Sequence, residues 1–149
     1  MVWFRSLLFQ VYFYASVCLH ALAIVVLFFM PYPFLFGIAK LWARGMLFVG
    51  KYLCGLDYVI EGRENIPDQP SVIMIKHTTA FETYAQIAVF PPQTWVLKRE
   101  LLWIPIFGWG LAAVKPIAIN RGAGHHAVRQ VIEKGNARLK DGIWVTNFP

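Results

Sequence analysis

No Asp or Glu precedes Asp57, although Arg5, Lys40, Arg44 and Lys51 all do. The first third is therefore basic and apolar, a balance that suits an anionic membrane surface. Charged residues make up only 15% of the 149-residue chain, against about 25% in an ordinary soluble domain. Cysteine is scarce as well. Cys18 and Cys54 stand alone in apolar stretches with no CxxC spacing, which excludes cysteine-based metal and dithiol redox chemistry. We expect both to be buried, reduced thiols, compatible with a cytosol-facing protein. No run of Lys and Arg occurs, and the aromatics sit inside apolar segments, so nucleic acid is not an expected partner.

The chain is rich instead in apolar surface. Hydrophobic residues reach 58%, above the usual 45–50% or so, and the length allows one modest domain. Residues 6–30 are almost wholly apolar and long enough to cross a hydrocarbon core of about 30 Å. A signal peptide is the alternative, but the apolar run continues past Ala21-Leu22-Ala23, which favours an uncleaved anchor. Pro31-Tyr32-Pro33 ends that helix. A second pattern, residues 34–54, places Lys40, Arg44 and Lys51 on one stripe, as in a helix lying in the membrane interface. The Lys and Arg residues after the first helix favour a cytoplasmic side for the C-terminal remainder of the chain.

Character changes near Gly55, so residues 1–55 read as membrane-anchoring helices and 56–149 as an αβ domain. Strands are expected at 56–61, 71–76, 94–97, 115–119 and 143–147, with helices at 81–90 and 125–140. Strand, helix, strand in succession implies a parallel pair joined by a right-handed crossover over residues 71–97. The fold class is α/β with a largely parallel sheet.

His77 falls at the switch from strand to helix, where α/β folds place chemistry. Glu82 comes five residues later, about one turn into the helix, so its carboxylate can fold back to the imidazole. Such a brace would fix the tautomer and leave one nitrogen free as a general base for an alcohol. Lys98-Arg99-Glu100 is a charged triplet at a strand end. The apolar loop next to it, Leu101 to Gly108, suits a lipid with an anionic head. His125-His126 are adjacent, which is not metal-ligand spacing on a helix. No enzyme nucleophile stands out.

The stretch His77-x4-Glu82 resembles motif I of the glycerolipid acyltransferases, the lysophosphatidic acid acyltransferase family, with Glu in place of the usual Asp. Lys98-x-Glu100-Leu101, with Pro105 and Gly108 beyond, resembles motif II of that family. Phe148-Pro149 resembles the first two residues of motif III, so the chain reads as truncated within that motif. The resemblance implies a membrane-bound bacterial enzyme with its chemistry on the cytoplasmic face of the inner membrane. It implies acyl transfer from acyl-ACP or acyl-CoA to a lysophospholipid, most simply 1-acylglycerol 3-phosphate, with no cofactor and no metal. His77 would be the base and Glu82 its partner. Lys98, Arg99, Glu100, Leu101, Pro105, Gly108 and Arg121 would bind substrate. The sequence also leaves open a lyso-ornithine lipid or glycerol 3-phosphate as acceptor, and a non-catalytic lipid-binding fragment.

Overall fold

The computed structural model describes residues 2–120, 122 and 124–148. Two long helices come first, α1 (Val2–Val26) and α2 (Tyr32–Cys54). Pro31 precedes α2 and Pro33 sits in its first turn, where a missing amide hydrogen costs nothing. The helix closes with Gly55 at φ 72°. Its amide donates to Lys51 at 3.0 Å, and the Leu56 amide reaches back to Gly50 at 3.1 Å. A side chain would resist that left-handed turn.

The remainder is an αβ unit: β1 (Val72–Met74), α3 (Phe81–Val89), β2 (Gln93–Lys98), α4 (Phe107–Ala113), β3 (Ile117–Ile119), α5 (His125–Lys140) and β4 (Trp144–Asn147). All four strands are parallel, in the order β1-β4-β2-β3. The expected pairing of β1 with β2 is therefore corrected. β4 lies between them, with Val145 opposite both Val72 and Thr94. The central strands β2 and β4 are largely buried along their length because helices and neighbouring strands cover them.

Residues 56–61 form no strand. Tyr58-Val59-Ile60 is an apolar run, but Val59 is 84% exposed and no strand among the described residues takes up the segment's hydrogen bonds. The apolar stretch after β2 also differs from a plain loop. It forms a 3-10 turn at Arg99–Trp103 and then α4, which packs on α1.

The change of character at Gly55 does not divide the core. Ile24, Leu35, Phe36 and Met46 of the first two helices form one cluster with Tyr84, Ile87, Trp95, Leu97 and Val114. The basic stripe on α2 is partly engaged inside the protein. Lys40 Nζ donates to the Phe90 carbonyl at 3.3 Å, and Lys51 pairs with Asp57 at 2.8 Å. Cys18 is exposed rather than buried, and Cys54 is half-buried, because much of the α1 surface is uncovered. His20 Nδ1 donates to the Ser16 carbonyl of its own helix at 2.8 Å, and both His125 and His126 are exposed.

Candidate active site

The carboxyl ends of β1, β2 and β4 open onto a single cleft of about 290 Å³. His77 lies just past β1, Lys98 ends β2 and Phe148 lies just past β4, and all three line this cleft. Open parallel sheets hold their ligands at this same end of the strands. Leu101 and Thr83 complete the rim. Trp42 of α2, Ile87 of α3, Trp95 and Leu97 of β2, and Phe107 and Leu111 of α4 form apolar walls. Five of these residues, Trp42, Ile87, Trp95, Phe107 and Leu111, also line a second, smaller apolar pocket of about 80 Å³ beside α1. The cleft thus carries His77, Thr83 and Lys98 as polar groups on largely apolar walls.

The imidazole of His77 is exposed and rests on the Phe148 ring, with centroids 4.9 Å apart. The Glu82 carboxylate does fold back, but onto Thr78 and Thr79 rather than the imidazole, which corrects the expected pair. Its oxygens accept the Thr79 amide at 2.9 Å and the Thr79 hydroxyl at 2.7 Å, with the Thr78 amide and hydroxyl beside them. Those donors, the Thr78 hydroxyl first, pull its pKa down to about 2. The cause is local. Amides at a helix start lack partners, and Thr79-Ala80-Phe81-Glu82 has the spacing of a capping box. That signal stood in the sequence beside the His-x4-Glu pattern.

Lys98 is half exposed and pairs with Glu100 at 3.4 Å. Glu100 is held below the usual carboxylate range, first by a main-chain amide and then by Lys98. Arg99 and Pro105 are exposed, and Arg99, Glu100, Pro105 and Gly108 do not line the cleft. Arg121 lies outside the described residues.

Gly108 has a structural reason. A Cβ there would lie 2.6 Å from the Leu102 carbonyl carbon and 2.8 Å from the Leu101 oxygen. Only glycine lets α4 start so close under the 3-10 turn. Just before it, Ile106 takes φ 65° and ψ −62°, and the Phe107 amide donates to Pro105 at 2.7 Å. This is a strained three-residue turn for a β-branched side chain. Thus Pro105 and Gly108 shape the segment that presents Leu101 and Phe107 to the cleft. Phe148, Trp42 and Trp95 were not foreseen as site residues. Of these, only Phe148 carried a signal, as part of the Phe-Pro pair.

The fold is an α/β unit whose cleft brings together a histidine at a strand-to-helix switch, a lysine at the end of β2 and apolar walls. The chain belongs to the acyltransferase family, whose sequence pattern matches residues 57–149. It is 44% identical over 108 residues to the 1-acyl-sn-glycerol-3-phosphate acyltransferase of Pseudomonas aeruginosa, covering 72% of this chain and 42% of that protein. It is 28% identical over 111 residues to the enzyme of that name from Saccharomyces cerevisiae, covering 72% of this chain and 36% of the relative. The chain therefore spans about two fifths of the length of these relatives. The crystal structure of the 1-acyl-sn-glycerophosphate (LPA) acyltransferase PlsC from Thermotoga maritima shares the fold. Its TM-score is 0.74 at 21% identity, covering 100% of this chain and 62% of that one.

Proposed function

We propose that this protein transfers a fatty acyl group from an acyl-ACP or acyl-CoA thioester to the free hydroxyl of 1-acylglycerol 3-phosphate, giving phosphatidic acid. The observation that carries the reading is the shared cleft. It joins His77, just past β1, to Lys98 and Leu101, at and just past the end of β2, across the intervening β4 and between apolar walls. His77 takes the proton of the acceptor hydroxyl as the oxygen attacks the thioester carbonyl. The carbon–sulfur bond then breaks, and the leaving sulfur takes that proton back from the imidazolium, so ester and thiol are the products. Glu82 holds the histidine segment in place. Lys98 attracts the acceptor phosphate, with Arg99 adding positive charge from outside the cleft and Arg121 a further cation for the same phosphate. Leu101 and the apolar walls take the acyl chain.

Two helices, Val2–Val26 and Tyr32–Cys54, are long and apolar enough to cross a membrane. Much of the α1 surface is exposed and apolar, with Trp3 at 90% and Leu19 at 66%. We place these helices in the bacterial inner membrane with the cleft on the cytoplasmic side, where they hold the site at the depth of a lysolipid hydroxyl.

The test is labelled acyl transfer to a panel of 1-acylglycerol 3-phosphate, lyso-ornithine lipid and glycerol 3-phosphate, with acyl-CoA and acyl-ACP as donors. Phosphatidic acid as the main product supports the proposal. Faster turnover of another acceptor reassigns the substrate, and no transfer to any acceptor removes the enzymatic reading.

A further inference from the structure

Both carboxylate oxygens of Glu82 are occupied. Oε1 accepts the Thr78 amide at 3.2 Å, the Thr79 amide at 3.1 Å and the Thr78 hydroxyl. Oε2 accepts the Thr79 amide at 2.9 Å and the Thr79 hydroxyl at 2.7 Å. Thr79 Oγ1 in turn accepts the Phe81 amide at 3.1 Å. Glu82 thus caps the Thr79 amide while Thr79 caps the Phe81 amide, across the first turn of α3. Only Thr78 separates His77 from Thr79 in this closed ring of bonds.

We propose that Thr79 is a positioning residue for acyl transfer. Its hydroxyl and amide clamp the Glu82 carboxylate, and the clamp fixes where His77 stands over the cleft. Glu82 holds the two threonines that follow the histidine, so its grip on them is passed to His77 along the backbone. The geometry supports this route. His77 is exposed, and it lies past the end of β1 and ahead of α3. Its link to the helix is a short, exposed segment that would sample many conformations if its amides were free. A general base has to stand within hydrogen-bond reach of the proton it removes, and small displacements are costly in rate. A carboxylate that ties down two successive amides next to the base restricts that freedom. Thr79 is the residue that closes the ring, because it alone both donates to Glu82 and caps the Phe81 amide.

The proposal rests on the acyl-transfer reading above, and the experiment separates the two. Acyl transfer is measured for the wild type, Thr79→Val, Thr79→Ser, Glu82→Ala and the double variant Thr79→Val/Glu82→Ala. Amide hydrogen exchange over residues 78–82 is followed in the same preparations. Valine keeps the shape of threonine and loses only the hydroxyl. We expect Thr79→Val to lower kcat about 10–100-fold while KM stays within about threefold. Serine should restore most of the rate. The double variant should fall no further than Glu82→Ala, since the two residues act as one unit. Exchange at the Phe81 amide should quicken about fivefold in Thr79→Val, with the rest of α3 unchanged, which also shows that the variant is folded. Wild-type kcat in Thr79→Val, additive losses in the double variant, or unchanged exchange beside a lowered kcat would each overturn the clamp. A wild-type protein that acylates no acceptor overturns the acyl-transfer reading, and the positioning role with it.

Discussion

The Tyr32 hydroxyl donates to the main-chain carbonyl of Gln93 at 2.6 Å, inside the core. One residue opens α2 and the other opens β2, so this bond ties the N-terminal helix pair to the sheet. Gln93 is itself fully buried. Its amide nitrogen donates to the Gln86 carbonyl at 3.0 Å and its side-chain oxygen accepts the Thr146 hydroxyl. A polar network at this depth holds together only while its members stay paired. Tyr32→Phe should lower stability by about 1–3 kcal/mol, read as a drop in Tm in detergent. The kcat for the proposed acyl transfer by the remaining folded protein should be little changed. An unaltered Tm would show that the helices and the sheet are not coupled through this bond.

Removing the imidazole tests the chemistry with little cost to the fold, because His77 is exposed. His77→Ala should slow acyl transfer by about 10²–10⁴-fold with thermal unfolding nearly unchanged. Turnover at the wild-type rate would take His77 out of the role of base.

Lys98 lines the cleft with His77, and in the proposed reaction it reads the acceptor's charge. A charge-assisted contact to phosphate is worth roughly 1.5 kcal/mol, or about tenfold in binding. Lys98→Gln should therefore raise KM for 1-acylglycerol 3-phosphate about tenfold and leave KM for an uncharged monoacylglycerol alone. Equal changes for both acceptors would point to cleft shape rather than phosphate.

The Gly108 position tolerates no Cβ without moving the backbone at Leu101 and Leu102. Gly108→Ala should cost about 1–3 kcal/mol through overpacking against main chain, which cannot swing aside as a side chain can. Thermal unfolding and folded yield would show it. A variant as stable as the wild type would mean that α4 can shift at no cost.

The carboxylate of Glu82 titrates at about 2 in the folded chain, against 4.5 without its donors. Its folded value is the lower one, so it stabilises the fold above pH 4.5 and that contribution fades as pH falls through 2. The Tm difference between wild type and Glu82→Ala should accordingly be largest near neutral pH and close up on acidification between those two values. In Thr78→Val/Thr79→Val the Tm difference should be smaller and its closing should be complete at higher pH, because the hydroxyl donors that depress the acid are gone.

Much of the fold is legible in the chain because its signals are local. Residues 125–140 show helical periodicity, and α5 spans His125–Lys140. The apolar runs at 94–97 and 143–147 lie within a residue or so of β2 and β4. Residues 56–61 carried a similar apolar run, Tyr58-Val59-Ile60, and form no strand, since a strand exists only where a neighbour takes up its hydrogen bonds. Glu82 shows the limit at the site. Its distance from His77 in sequence was compatible with two bonding schemes, and the unpaired amides at the start of α3 settled which one formed.

By itself the sequence determined two apolar helices, a parallel αβ unit and a histidine at the strand-to-helix switch, because periodicity and spacing are properties of neighbouring residues. Tertiary structure alone decided that β4 separates β1 from β2, which brings Phe148 onto His77. It also decided that Trp42, from the first helix pair, walls the cleft shared by His77 and Lys98. Strand order and cleft walls depend on which distant apolar faces bury one another, and no window along the chain contains both partners of such a contact.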